Sequence, residues 1–119
     1  MSSHSFPTRR SSDLAIAVLA ILIRPQNESA ARAPAVQFAQ IARIVDQRCA
    51  ACHSQHPTKV SAAPRGIKLD TPEEIKAQTS AIEQQAVLTQ AMPLGNVTGM
   101  TKAERDLLGR WIAQGARIP

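Results

Sequence analysis

Cys49-Ala50-Ala51-Cys52-His53 is the stretch on which the reading of this chain turns. Two cysteines three apart, followed at once by histidine, form the attachment signature of a c-type haem. The chemistry explains the spacing. On one helical turn, thiols three residues apart face the same side, and each can add to a vinyl group of the porphyrin. The next residue, His53, is then placed under the iron as its proximal ligand. A bare Cys-x-x-Cys has three other readings: a thioredoxin-like redox pair, half of a zinc site, or a structural disulfide. The chain has only two cysteines, so no second pair completes a zinc site. No βαβ pattern surrounds the motif. The adjacent histidine selects haem attachment.

Working outward, Val36, Ile41, Ile44, Val45 and Arg48 fit a helix of about three turns that runs into the motif, with Phe38 and Ala42 widening its apolar side. Residues 54–69 lose periodicity and hold Pro57, Pro64 and Gly66, which predicts a loop wrapping one side of the cofactor. Thr71-Pro72-Glu73-Glu74 starts a second helix, with Thr71 as cap, Pro72 at the first helical position and Glu74 closing a capping box. Ile75, Ile82, Ala86 and Leu88 supply its apolar positions up to about Gln90. Residues 92–100 (MPLGNVTGM) form a turn-rich loop. Thr101 with Glu104 makes a second capping box, and Ala103, Leu107, Leu108, Trp111 and Ile112 form a helical stripe that Gly115 ends. There is no strand pattern and no internal repeat.

The order of helix, Cys-x-x-Cys-His, loop, helix, Met loop and helix resembles the class I cytochrome c fold. That resemblance implies an all-α domain of three main helices around one covalent haem c, with the first and last helices crossing. Composition agrees with a cofactor core. The chain has 119 residues, a net charge of +5 and no tyrosine. That allows one small domain plus an appendage. Beyond residue 13 only Phe38 and Trp111 are aromatic. Such a domain is marginal on its own side chains, so folding is expected to be coupled to the haem.

The second axial ligand must come from elsewhere in the chain. Haem iron in cytochromes c commonly takes His and Met, and the thioether raises the reduction potential. Met92 and Met100 are the candidates, with a vacant or His56-ligated site as the remaining reading. In the class I fold the ligand commonly sits in a Met-Pro turn before the last helix, which Met92-Pro93 matches; Met100 is the alternative, with a core role as its bland reading. The fold also implies a proline carbonyl that accepts a hydrogen bond from the proximal histidine. Pro64, eleven residues after His53, is the expected acceptor, ahead of Pro57. Asn96 is either an amide reaching the Met loop or an ordinary turn residue. His56 reads as a loop residue and Trp111 as an apolar wedge. Lys59, Arg65, Lys68, Lys76, Lys102 and Arg105 either ring the haem edge and steer an acidic partner or form a solvated face. Nucleic acid is not implied, because no aromatic stacking surface exists.

The chain before residue 36 divides into three. Residues 1–13 lack any period, and His4 to Leu14 match the translation of a common short-read sequencing adapter, so an artefactual head is expected; a basic signal-peptide segment is the alternative. Residues 14–24 hold ten consecutive apolar residues, Leu14 to Ile23. A spanning helix needs about twenty, so this is read as the remnant of a transmembrane helix, or else a signal-peptide core. Residues 25–35 are a polar, Pro-bounded linker, and residues 36–119 form the haem domain. Either reading of 14–24 delivers that domain to the oxidising, periplasmic side of a bacterial inner membrane, where haem attachment also takes place.

Longer strings point to one family. CAACHSQHPT, APRGIKLDTPEEI, AMPLGNVTGMT and ERDLLGRWIAQGA together resemble the C-terminal cytochrome c domain of bacterial membrane-bound urate hydroxylases, over about Phe38 to Arg117. The resemblance implies that Cys49 and Cys52 hold the haem, that His53 and Met92 ligate its iron, and that a multi-span membrane domain oxidises urate to 5-hydroxyisourate. The cytochrome would accept those electrons and pass them to the respiratory chain. That catalytic domain is absent from this sequence, so the fragment is expected to carry electrons and not to oxidise urate alone. An independent, membrane-anchored cytochrome serving another dehydrogenase is the alternative.

Overall fold

A computed structural model describes residue 29 and residues 32–119. The adapter-like head, the apolar run and most of the linker lie outside the described residues. No helix among the described residues is long and apolar enough to cross a membrane.

Every regular element among the described residues is helical, and the described chain is all-α. Helix α1 spans Phe38–Arg48 and buries Ile41, Ile44 and Val45, a spacing of three and four that puts them on one stripe. A single 3₁₀ turn at Pro64–Gly66 interrupts the loop that follows. Helix α2 spans Pro72–Ala77 and opens on the expected capping box. The Glu74 N–H donates to Thr71 Oγ1 at 3.1 Å, and the Thr71 N–H donates to Glu74 Oε2 at 3.1 Å.

The single helix expected from Pro72 to about Gln90 is instead broken. The backbone leaves helical values at Gln78 (φ −99°, ψ 13°), helix α3 covers only Thr79–Ile82, and a π-helical stretch runs through Glu83–Leu88. The Thr79 hydroxyl donates to the Lys76 carbonyl at 2.7 Å. Such local side-chain bonds compete with the helical ladder and bend it. At the far end the Thr89 N–H and hydroxyl both donate to the Gln84 carbonyl, at 3.0 and 2.8 Å, closing the wider turn. Ala86 keeps its place in the core, but Leu88 is 65% exposed and not a core position.

Helix α4 spans Lys102–Ala113, capped by Thr101 and Glu104 in the same reciprocal way. It ends at Gly115, whose φ of +102° lies in a region that favours glycine. Leu108 and Trp111 are fully buried on it; Leu107 and Ile112 are half-buried and Ala103 is exposed.

Helices α1 and α4 form the centre of the fold, laid in opposite directions. At one end the rings of Phe38 and Trp111 meet with centroids 6.1 Å apart. At the other, Arg48 closes a two-pronged ion pair on Glu104, with both N···O distances 3.0 Å. Ile41, Val45, Leu108 and Trp111 fill the space between. Each such side chain withdrawn from water contributes roughly 1.5–3 kcal/mol. Trp111 is the wedge the sequence predicts, and its Nε1–H is satisfied by the Arg117 carbonyl at 2.9 Å. The Gln114 amide fastens the start of the domain. Its Oε1 accepts from the Val36 N–H at 2.9 Å, and its Nε2 donates to the Ala33 and Pro34 carbonyls at 3.0 and 3.1 Å.

Candidate functional site

The motif turns directly off the end of α1. The Cys49 N–H still donates to the Val45 carbonyl at 2.8 Å, and the His53 N–H donates to the Cys49 carbonyl at 2.8 Å. Cys49, Cys52 and His53 are all half-buried, and both thiols are free. The following loop folds back on the motif. The Thr58 and Lys59 N–H groups share the Ala51 carbonyl at 2.9 Å, and the Leu69 N–H returns to the His53 carbonyl at 2.9 Å.

Burial pushes the Cys49 thiol up to about 11, with the neighbouring Cys52 adding to the rise and Arg105 opposing it. A dithiol redox nucleophile has the opposite character, a depressed pKa that keeps it thiolate near neutrality. The direction at Cys49 is opposite to that of such a nucleophile. No cluster of three or more His, Cys, Asp or Glu side chains suited to a metal ion occurs among the described residues.

His53 Nδ1 lies 3.1 Å from the carbonyl oxygen of Ile67. This corrects the expectation for Pro64. The Pro64 carbonyl instead accepts the Ile67 N–H at 3.1 Å, inside the 3₁₀ turn. The turn reverses the chain at Arg65 (φ 56°) and Gly66 (φ 69°), so the first carbonyl returned to the imidazole is three residues later. With Nδ1 as donor, the tautomer is fixed and Nε2 is left with its lone pair.

The two methionines have different surroundings. Met100 is only 4% exposed and belongs to the apolar core. Asn96 brackets its backbone: Asn96 Nδ2 donates to the Met100 carbonyl at 3.2 Å, and Oδ1 accepts the Met100 N–H at 2.9 Å. Asn96 thus reaches the Met loop as a brace of its turn. Met92 is 36% exposed. Leu88, Leu94 and Val97, close to it in the chain, are exposed large apolar residues, as is Val60 in the other loop.

Arg48 joins the Met loop to the start of the cysteine motif, and Arg105 joins it to α4. Arg48, immediately before Cys49, donates through Nη1 to the Thr98 carbonyl, and the Thr98 hydroxyl answers by donating to the Arg48 carbonyl at 2.8 Å. Arg105 donates through Nη1 to the carbonyls of Ala86 and Met92, at 2.6 and 2.8 Å. It is also close enough to Cys49 to act on the thiol electrostatically. Neither role was visible in the sequence. Arg105, grouped there with the candidate rim or solvated cations, is buried. Lys76 is likewise engaged: its Nζ donates to the Gly115 and Ala116 carbonyls at 2.8 and 2.7 Å, tying α2 to the end of α4. Lys102 pairs with Asp106 on the open face of α4 at 2.7 Å, while Lys59, Arg65 and Lys68 are exposed. His56 is exposed in its loop, as expected.

The donor types are those a covalent haem takes. The chain provides two free thiols at attachment spacing, an imidazole oriented through its far nitrogen, and an accessible thioether in a loop tied to the same motif. No protein-family model matches this chain, and neither a curated protein nor a solved structure matches it.

Proposed function

We propose that residues 36–119 are a small class I cytochrome c domain that carries one covalent haem c and transfers single electrons. Cys49 and Cys52 would form the thioether links, His53 would ligate the iron through Nε2, and Met92 would ligate it on the other side. Bound haem supplies a one-electron iron couple; the chain attaches it, orients it and excludes water from it. The observation that carries this reading is the Cys49-Cys52-His53 constellation, with His53 Nδ1 held on the Ile67 carbonyl at 3.1 Å. A histidine anchored that way has one nitrogen committed and one to give. The exposed Leu88, Leu94 and Val97, within five residues of Met92 in the chain, support it further, because a haem face would cover apolar surface.

Within that class, the string resemblance supports the haem domain of a membrane-bound urate hydroxylase. The donor would be the fused urate-oxidising membrane domain, the acceptor a respiratory-chain component, and the location the periplasmic side of a bacterial inner membrane. A linker of about ten residues would hold donor and haem at an effective concentration around millimolar, so a weak docking surface suffices. The independent membrane-anchored cytochrome is the second reading, favoured by the fact that the motif and helices need no catalytic domain.

The test is expression of residues 36–119 in a periplasm equipped for haem attachment. The product is expected to carry the mass of one haem, to lose one thioether link in Cys49→Ser or Cys52→Ser, and to lose its low-spin spectrum in His53→Ala. A product with the bare polypeptide mass refutes the reading. Membranes holding the intact gene product then separate the two parents. Haem reduction on adding urate supports the hydroxylase, and reduction only by another dehydrogenase's substrate supports the independent cytochrome.

A further inference from the structure

Arg105 is an unusual residue to bury. It sits in the first half of α4 at 6% exposure, and among the described residues its guanidinium has no carboxylate partner. A buried cation without a counter-charge is costly unless hydrogen bonds replace its hydration. Here a single nitrogen, Nη1, takes two backbone carbonyls, those of Ala86 and Met92. The two acceptors are the last buried residue of the π-helical stretch and the residue that opens the Met loop. The Met92 N–H is held as well, by the Gln85 carbonyl at 2.9 Å. Met92 therefore has both backbone polar groups fastened while its side chain stays accessible.

The rest of the loop is secured elsewhere. Thr98 is tied to Arg48, and Met100 to Asn96. Neither tie acts on the backbone of Met92 itself. From this division we infer that Arg105 is the positioning residue for the sixth haem ligand, fixing the Met92 backbone so that the thioether is presented to the iron and resists displacement. The inference rests on the haem reading above. In this role Arg105 acts through the Met92 carbonyl.

Lys76 provides a comparison. It is an exposed cation that also holds two backbone carbonyls, those of Gly115 and Ala116, which follow the end of α4 and lie outside the Met loop. Loss of either lock should lower stability, and only one should loosen Met92.

The experiment titrates haem-loaded wild type, Arg105→Met, Arg105→Lys and Lys76→Met with imidazole, which competes with the thioether for ferric iron. The red sulfur-to-iron charge-transfer band is followed throughout, and melting temperature is measured in parallel. Loss of one buried charge-assisted bond to the Met92 carbonyl corresponds to about tenfold tighter apparent imidazole binding in Arg105→Met. Arg105→Lys, which keeps the charge but has a shorter reach, should fall between that and wild type. Lys76→Met should melt earlier with unchanged imidazole affinity. If Arg105→Met does not accumulate, the lysine variant decides alone. Haem-loaded Arg105 variants with wild-type affinity overturn the inference, as does an equal shift in Lys76→Met. A wild-type chain that takes up no haem overturns the haem reading and this inference with it, whereas haem with an imidazole-insensitive Arg105 site overturns the inference only.

Discussion

Met92 and Met100 lie eight residues apart in one loop, and replacing each by alanine should separate ligation from packing. Met100 is 4% exposed among Ile41, Leu108 and the rest of the apolar core, so Met100→Ala removes buried side-chain volume. Truncations of this type cost about 2–5 kcal/mol, depending on how far the surroundings collapse. For a domain of this size that is a fall in melting temperature on the order of 10–30 °C. Met92 is 36% exposed, so Met92→Ala leaves little cavity. Its cost should come from the lost iron bond. Melting both variants in saturating imidazole removes that contribution, because imidazole then occupies the sixth position in every form. Under those conditions Met92→Ala should lie within about 0.5 kcal/mol of wild type, as surface substitutions do, while Met100→Ala keeps its full deficit. Without imidazole, Met92→Ala should lose the red charge-transfer band and Met100→Ala should keep it. A band lost in Met100→Ala and retained in Met92→Ala would transfer the ligand to Met100 and refute the assignment.

Two further outcomes follow from the packing of α4. The hydrogen bond from Arg48 holds the Glu104 carboxyl below the usual carboxylate range. A depressed folded-state pKa stabilises the fold above the unfolded value of about 4.3 and loses that contribution as pH falls through the folded value. Melting temperature should therefore drop less steeply in Glu104→Gln than in wild type between about pH 5 and 3, and parallel slopes would count against the ion pair. A Cβ on Gly109 would lie 3.1 Å from Val87 Cγ1, so α4 presses closely on the π-helical stretch there. Gly109→Leu should cost about 1–3 kcal/mol by overpacking, with Val87→Ala recovering part of it in the double variant; strict additivity would show that the two do not touch.

Much of the architecture was legible along the chain because it rests on local chemistry. Thr71 and Thr101 each stand three residues before a glutamate, and both form the reciprocal caps that this spacing predicts. Ile41, Ile44 and Val45 repeat at helical spacing and are buried together. Leu88 misled because it fits the same period. A π-helical turn changes the angle per residue, and the competing bonds of Thr79 and Thr89 that flank it carry no periodic signal.

The sequence by itself determined the identities that chemistry requires: the thiol spacing, the histidine beside it, the Met-Pro pair and the helix starts. These depend on residues within a turn of one another. Tertiary structure alone decided which distant groups meet. It chose Ile67 over Pro64 as the carbonyl facing His53, since the path of a loop closed by the Leu69-to-His53 bond sets which oxygen arrives. It buried Met100 and left Met92 accessible. It also turned Arg105 from a surface candidate into an interior lock on backbone carbonyls, and set the exposed Lys76 on two carbonyls that follow α4. A long cationic side chain looks the same in sequence whether it ends in water or on a carbonyl. Only the packing of α4 against the chain before and after it provides those oxygens.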